Sequence, residues 1–380
     1  MYLEPGRKDL GGLRHLVFLG ESTSFSEDLK TYLVEFNQKG KPKRWLFDSF
    51  VLYLKTSSGN ALSADINIGD AMCGEGNFYA VPSPNPGTIK DWMETIETYY
   101  SKDGMLDILN GEVEKFAGKL GKPEHPINVV LVMNYPLPNQ SRFGVVNGKN
   151  LNFSVLGQNL DKASRQRLEA CQFHANELKK NWNKKRFPNL NLLGFYWPFE
   201  TVYRSWDMDD HWVLKELKTH VNKMGLKMFW IPFWCSWNAH LLDDYENYYF
   251  DAAFLQPNYM FYEDIKGVKE AAKDAKKRHA GIEMEFYRDV PGLPFRKKVI
   301  QERLKRFRAY LDGGVKYGYM KDSANAWFLG ADILPHLCRS NKKEDRELYK
   351  DICAFIHAEY ERKNDMSRRS HAFGVTKTEG

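Results

Sequence analysis

The sequence has few cysteines and lacks the short motifs that would assign a metal or phosphate site directly. Its five cysteines are odd in number and widely separated, which excludes a dense disulfide framework and a CxxC metal site. The ten histidines include no HExxH motif, and no GxGxxG follows the first apolar run, so neither a zinc protease nor a dinucleotide site is indicated. We therefore expect no cofactor and no bound metal.

Long apolar runs are also missing, since no stretch reaches the roughly 18 residues that a membrane span requires. The formal net charge is +6, but the basic residues alternate with acidic ones along helical stretches or gather near the end of the chain. No RNA-recognition or zinc-finger pattern accompanies them, so we expect no nucleic-acid partner. The sequence leaves the oligomeric state open.

What the sequence does contain is a series of apolar, β-rich runs separated by amphipathic helical segments. The runs are 15–20, 45–54, 127–135, 190–197, 226–234, 249–256, 281–286 and 315–322. Strict alternation of strands and helices predicts parallel βα units. Eight such units favour a closed (β/α)8 TIM barrel, in the α/β class, over the alternative of an open doubly wound sheet.

Two connections are too long for simple turns. Residues 56–86 follow the second strand and residues 136–158 follow the third, and we interpret both as loop insertions over the barrel mouth. No linker rich in Pro, Gly or Ser divides the chain. We therefore expect a single barrel domain over residues 10–362 and a polar tail over residues 363–380.

The run GIEMEF, residues 281–286, alternates two acids with apolar residues. Because successive side chains of a strand point to opposite faces, Glu283 and Glu285 share one face. If that face is turned into the barrel, burial of the acids is costly and indicates a function. The alternative is that both acids form internal ion pairs with Arg or Lys.

A third acid, Glu200, ends the fourth run in FYWPFE. Active sites of TIM barrels form at the carboxyl ends of the strands, and strands 4 and 7 lie on opposite sides of the ring. Glycosidic bond cleavage needs one protonated acid and one carboxylate, about 5–5.5 Å apart for retention or about 6.5–9.5 Å apart for inversion. We predict Glu200 as general acid and Glu285 as nucleophile or base of a glycoside hydrolase.

Further polar and aromatic residues follow the strands, where amides can bind sugar hydroxyls and aromatic rings can stack on sugars. The predicted substrate-binding residues are Glu283, Asn134, Trp234, Trp237, Gln256, Asn258, Tyr259 and Asp322. The expected partner is an oligo- or polysaccharide. A non-catalytic carbohydrate-binding barrel is the main alternative, and a lyase or a metal-assisted hydrolase using Asp322 and Glu21 is a third.

The order of several motifs resembles the bacterial family labelled domain of unknown function 4855. The motifs are WLFDSF, LLGFYWPFE, LKMFWIPFW, FDAAFLQPNYMF, GIEMEF and FRAYLDGGVKYGY. The resemblance covers roughly residues 14–330 and implies a barrel distantly related to glycoside hydrolases. It also implies a secreted, periplasmic or cell-surface location, because family members are commonly exported; a cytoplasmic location is the alternative. The acids after strands 4 and 7 are similar to those of the large retaining-glycosidase clan, although Phe199 stands where that clan usually has Asn.

Overall fold

Eight parallel strands close into a barrel in this protein, whose structure is a computed structural model. The structure describes residues 1–20, 25–63, 65–67, 79–81, 84–202, 204–234, 239–261, 267–287, 297–330 and 332–362. The barrel strands are β1 (His15–Gly20), β2 (Ser49–Tyr53), β3 (Ile127–Val132), β4 (Leu190–Trp197), β5 (Lys227–Trp230), β6 (Ala252–Leu255), β7 (Gly281–Glu285) and β8 (Asn325–Phe328). Each strand pairs with its neighbours in chain order, and β8 pairs with β1. The predicted (β/α)8 barrel is confirmed.

Helices surround the barrel and cover the outer faces of its strands. They are α1 (Phe25–Leu33), α2 (Ile89–Tyr99), α3 (Met105–Leu120), α4 (Leu160–Lys185), α5 (Asp210–Lys223), α6 (Tyr245–Tyr248), α7 (Val268–Lys277), α8 (Lys297–Tyr317), α9 (Tyr319–Asp322), α10 (Ile333–Arg339) and α11 (Lys343–Ile356). Within the ranges given above, no helix combines the length and the apolar character needed to cross a bilayer.

Burial on both faces explains why the strands read as continuous apolar runs. In β3 all six residues, INVVLV, are buried. Val130 belongs to a small cluster inside the barrel, whereas Val129 and Leu131 belong to a larger cluster between the barrel and the helices. A strand covered in this way needs apolar side chains in both directions, which removes the polar alternation of an exposed strand.

The long connections after β2 and β3 are confirmed, and both contain short antiparallel hairpins. Strands Asp65–Asn67 and Tyr79–Val81 pair in the first connection, and strands Gly144–Val146 and Lys149–Leu151 pair in the second. A further hairpin, Val34–Phe36 with Pro42–Trp45, lies between α1 and β2.

The amino-terminal segment closes the floor of the barrel. The backbone N–H of Leu3 donates to the Ala280 carbonyl, and the Ala324 N–H donates to the Leu3 carbonyl. Leu3, Leu10 and Leu13 join the inner apolar cluster. The carboxyl ends of the strands, at the opposite side, are therefore the open mouth.

The predicted eighth strand, residues 315–322, is wrong, because these residues finish α8 and form α9. Gly313 and Gly314 do not end α8; the helix runs through them to Tyr317. A Cβ on Gly314 would lie 2.2 Å from the Phe355 ring, so glycine at this position permits close packing of α8 on α11. The strand that closes the barrel is β8, three residues further along the chain.

Candidate active site

Glu283 and Glu285 occupy the inward face of β7. Their register partners on β8 are Ala326, which belongs to the cluster inside the barrel, and Phe328. The intervening Met284 packs instead into the cluster beneath the helices. The two glutamates are only 3% and 1% exposed, so that both carboxyl groups are removed from bulk water.

Glu285 is held through one of its two carboxyl oxygens. Its Oε2 accepts a hydrogen bond of 2.6 Å from the Tyr310 hydroxyl and one of 2.7 Å from the backbone N–H of Asn258. Asn258 has a φ of 54°, a left-handed conformation that asparagine tolerates better than most residues. The carboxyl group is thus fixed between α8 and the loop that follows β6.

Glu200 follows β4 after Pro198 and is half-buried. The Gln256 side chain lies close enough to its carboxyl group to lower the pKa of Glu200, against the effect of burial. Gln256 Oε1 also accepts a hydrogen bond of 3.1 Å from the Asn258 amide. Hydrogen bonds therefore connect Gln256, through Asn258, with Glu285.

All three carboxyl groups have raised pKa values, and burial is the main cause. Burial raises the pKa of Glu200 to about 7 and that of Glu285 to about 8, although the Tyr310 and Asn258 donors act against the shift at Glu285. The pKa of Glu283 lies well above its ordinary value because burial is reinforced by the charges of Glu285 and Glu200. In the described part of the chain, no Lys, Arg or His pairs with any of the three, which rules out the ion-pair alternative there.

Aromatic rings pack beside the acids inside the barrel. Phe18 makes edge-on contacts with Tyr196, at 5.2 Å between ring centroids, and with Phe328, at 6.0 Å. Burial and the neighbouring charges of Glu200 and Glu283 raise the pKa of Tyr196 well above its ordinary value. These rings and Tyr310 come from strands and a helix whose apolar patterns carry no functional signal, and sequence analysis did not single out Phe18, Phe328 or Tyr310.

A cavity of about 290 Å³ opens at the carboxyl ends of β2, β3 and β4. Tyr53, Val132, Asn134 and Pro198 lie in its wall together with Thr95 and Tyr99 of α2, and Pro198 is two residues before Glu200 in the chain. Tyr53 is 43% exposed and provides an aromatic surface at this opening.

The structure places Asn134 at the edge of this cavity but turns its amide nitrogen toward the surrounding helices. Its Nδ2 donates to the Thr95 hydroxyl on α2 at 3.1 Å and lies 3.4 Å from Nε2 of His174 on α4. The side chain is 3% exposed. Its role in substrate binding stays a prediction.

The prediction of Trp234 as a stacking platform is wrong. Its indole N–H donates to Asp274 of α7 at 2.7 Å, and its ring is buried in the outer cluster. Tyr259 is half-buried, and the Arg306 guanidinium covers one face of its ring at 5.7 Å. Beyond the end of a strand, side chains no longer alternate between its two faces. The positions of the Trp234 and Tyr259 rings therefore could not be predicted from the strand pattern. Trp237 lies outside the described residues.

The prediction for Asp322 is also wrong, because this residue lies in α9, before β8, and is exposed at the amino end of the barrel. The predicted role in substrate binding fails because the strand assignment was wrong. Glu21 lies outside the described residues. Over the residues that the structure does describe, no group of three His, Cys, Asp or Glu side chains is arranged to hold a metal ion.

The fold and site thus define a TIM-barrel protein with a buried carboxyl cluster at its mouth. Residues 15–354 match the model of the family described as Domain of unknown function (DUF4855), and the chain belongs to this family. The resemblance inferred from the motifs is confirmed. No curated protein sequence matches the chain.

Solved structures of similar fold include glycoside hydrolases. They are a GH5-4 broad-specificity endoglucanase from an uncultured bacterium (8% identity, TM-score 0.45, 94% of this chain and 96% of that chain), the intracellular xylanase TsXylA of Thermoanaerobacterium saccharolyticum (8%, 0.43, 84% and 86%) and the Xyn10B xylanase modules of Clostridium thermocellum (10%, 0.42, 86% and 61%). The chain therefore spans less than two thirds of the Xyn10B structure. At these identities the likeness concerns the fold alone.

Proposed function

We propose that this protein hydrolyses glycosidic bonds of an oligo- or polysaccharide, with Glu200 as general acid and Glu285 as nucleophile or base. The observation that carries the proposal is the cluster of the buried Glu283 and Glu285 with the half-buried Glu200, none of which has a cationic partner in the described chain. Such burial is costly for a purely structural acid. Two carboxyl groups with different environments are what this reaction requires.

The hydrogen bonds of Glu285 suit a reacting carboxylate. Donors from Tyr310 and Asn258 stabilise its charged form through Oε2. The other oxygen has no such partner among the described residues and is left to attack the sugar or to activate water. Because one oxygen of Glu285 is held by two donors while the other remains available for reaction, Glu285 is favoured over Glu283 as the reacting group.

Burial raises the pKa of Glu200 to about 7, so that part of it carries the proton an acid needs near neutral pH. Because the pKa of Glu285 is about 8, the combination of a protonated Glu200 and a charged Glu285 is a minor form of the protein at neutral pH. Glu283 lies one layer deeper and holds its own proton strongly. Since neighbouring carboxyl groups cannot all ionise together, a protonated Glu283 makes it easier for Glu285 to carry the charge.

The cavity beside Pro198 and Tyr53 supplies an approach for the sugar. Its volume of about 290 Å³ is close to the lower end of small-molecule sites, roughly 300–1,000 Å³. Tyr53 provides the exposed ring on which a sugar can stack.

The proposal is tested by screening the purified protein against glycans of different sugars and linkages, followed by Glu200→Gln and Glu285→Gln on any substrate found. Each variant should lose roughly 10²–10⁴-fold in kcat. Asp322→Asn makes the equivalent change at the opposite end of the barrel and should leave kcat unchanged. Equal losses in all three variants, or activity in Glu285→Gln, would contradict the assignment.

Substrates with a good leaving group distinguish the general acid, Glu200, from the nucleophile or base, Glu285. A nitrophenolate needs little protonation as it departs, so Glu200→Gln should recover much of its activity on nitrophenyl glycosides. Glu285→Gln should stay inactive on them, because attack at the sugar is still required. The opposite pattern would exchange the two assignments.

A non-catalytic carbohydrate-binding barrel is the second candidate, and the 1% exposure of Glu285 favours it. A binding protein needs no accessible carboxylate. Tight binding of a glycan by the wild-type protein, with no product after prolonged incubation, would replace the hydrolase proposal with this one.

A further inference from the structure

A large groove lies on the side of the barrel, away from the carboxyl cluster. It has a volume of about 1,080 Å³ and is formed by α1, the hairpin of Val34–Phe36 and Pro42–Trp45, and the helices α10 and α11. The hairpin leads into the amino end of β2, and the end of α11 contacts the amino end of β1 through a hydrogen bond between the Ile356 carbonyl and the His15 ring. The groove therefore belongs to the floor side of the barrel.

The groove concentrates positive charge. Seven Lys and Arg side chains and three glutamates line it, a formal surplus of four positive charges, whereas the whole chain has a surplus of six. Four of the seven cations are already in ion pairs. The pairs are Lys30–Glu27, Lys43–Glu35, Arg44–Glu35, Arg44–Glu359 and Arg339–Asp28.

Three cations remain without an ion pair to any described residue: Lys39, Arg346 and Lys350. Lys39 stands at the hairpin tip, where Asn37 Oδ1 accepts hydrogen bonds from the backbone N–H groups of Lys39 and Lys41 and fixes the turn. Arg346 and Lys350 are four residues apart on α11 and so share one helix face. Two separate elements thus present unpaired cations to one cavity.

Aromatic side chains line the same groove. Phe36 is half-buried, and its backbone N–H donates to the Tyr349 hydroxyl at 2.9 Å, which ties the hairpin to α11. Tyr349 is 6% exposed, so the ring surface in the groove is that of the half-buried Phe36. A ring bordered by cations suits a ligand whose rings carry negative groups. We propose that this groove is a second binding site, separate from the carboxyl cluster, for a polysaccharide bearing carboxylate groups, such as a polyuronate.

Other polyanions fit the groove less well. A flat membrane surface cannot follow the walls down to Phe36 and Tyr349. Nucleic-acid-binding domains usually carry a longer basic stripe and a pI above about 9, whereas the pI of this sequence is about 8.8. A groove with three unpaired cations and an aromatic lining matches a chain of acidic sugars.

Binding of polygalacturonate, with neutral dextran as reference, tests the proposal by affinity electrophoresis and titration calorimetry at 0.15 M salt. The triple variant Lys39→Glu, Arg346→Glu and Lys350→Glu should weaken polygalacturonate binding by roughly tenfold or more. The neutral triple variant with Gln at the same positions should lose less, and it remains informative if the reversed charges disturb folding.

A charge-matched control reverses three exposed lysines on α4, namely Lys162, Lys184 and Lys185. It alters the net charge equally but leaves the groove intact, so its binding should change by less than about twofold if binding is local rather than a response to overall charge. The proposal would be overturned if the α4 control lost as much binding as the groove variant with Glu at all three positions, or if the wild type did not bind polygalacturonate. It would also be overturned if the wild type bound single-stranded DNA or anionic phosphatidylserine vesicles as tightly as polygalacturonate. Because Glu200 and Glu285 are untouched, hydrolysis of short neutral glycans tests the active site separately.

Discussion

The barrel buries two groups of ionisable side chains. One contains an ion pair, and the other consists of acids without a cationic partner in the described chain. Behind β3, Arg167 and Asp210 are almost fully buried and form an ion pair of 2.6 Å, while the Tyr135 hydroxyl donates to the other Asp210 oxygen at 2.8 Å. At the mouth, Glu200, Glu283 and Glu285 have no cationic partner in the described chain. The ion pair satisfies both charges of the first group, whereas the unpaired acids at the carboxyl ends of the strands are the basis of the proposed function.

Breaking the paired group should have the largest effect on stability. Asp210→Ala leaves the Arg167 guanidinium buried without its carboxylate, and we expect a loss of about 3–5 kcal/mol in the free energy of unfolding, measured by urea denaturation. Asp210→Asn keeps the shape and should lose less. If Asp210→Ala left the free energy of unfolding unchanged, ion pairing would not distinguish the Arg167–Asp210 group from the unpaired acids.

Removing a carboxyl group from the unpaired acids should stabilise the protein, whereas removing Asp210 should destabilise it. Above the ordinary pKa of glutamate, Glu283 is ionised in the unfolded chain but protonated in the folded one, so its contribution to stability falls as pH rises. Glu283→Gln should therefore raise the melting temperature by on the order of a few degrees at pH 8 and change it little at pH 4. The comparison fails if the variant is less stable at both pH values.

The Tyr310 hydroxyl should adjust the proton affinity of Glu285. The rate of the proposed hydrolysis by the wild-type protein should follow a bell-shaped pH profile, with the limbs near the pKa values of about 7 and about 8 of Glu200 and Glu285. Tyr310→Phe removes a donor that lowers the pKa of Glu285, so its limb should move to higher pH. Tyr319→Phe removes a hydroxyl that donates to the Tyr310 backbone carbonyl rather than to Glu285, and it should reduce stability without moving the limb.

The smallest effect is expected at Trp234, which the structure places outside the site. Trp234→Phe loses the hydrogen bond to Asp274, worth about 1 kcal/mol, but keeps most of the buried ring. The melting temperature should fall slightly, and kcat/KM should stay unchanged. A large loss of kcat/KM with unchanged stability would return Trp234 to the substrate site.

Local patterns predicted much of this barrel. Seven of the eight runs overlap observed strands, and the alternation in β7 correctly turned Glu283 and Glu285 inward. The eighth run was misread because a glycine such as Gly313 resembles a helix stop, whereas a Cβ on Gly313 would meet the Tyr319 hydroxyl and one on Gly314 would meet the Phe355 ring. A sequence pattern does not reveal which helix packs against a glycine.

Residues beyond the strand ends were harder to predict. The Gln256 side chain lies beside Glu200 at the mouth, whereas the Trp234 indole turns outward to Asp274. Outside a strand, the backbone conformation sets the direction of each side chain, and single residues give little information on it. Tyr310 reaches Glu285 from a helix 25 positions further along the chain, so no local motif could connect the two.

The amino terminus leaves the barrel from the side opposite its mouth. Met1 is exposed, and its ammonium group donates to the Lys276 carbonyl at the end of α7, next to the segment that closes the floor. An affinity tag or a surface linkage placed before Met1 would consequently orient the immobilised protein with its opening toward the solution, where long polymer chains have unobstructed access.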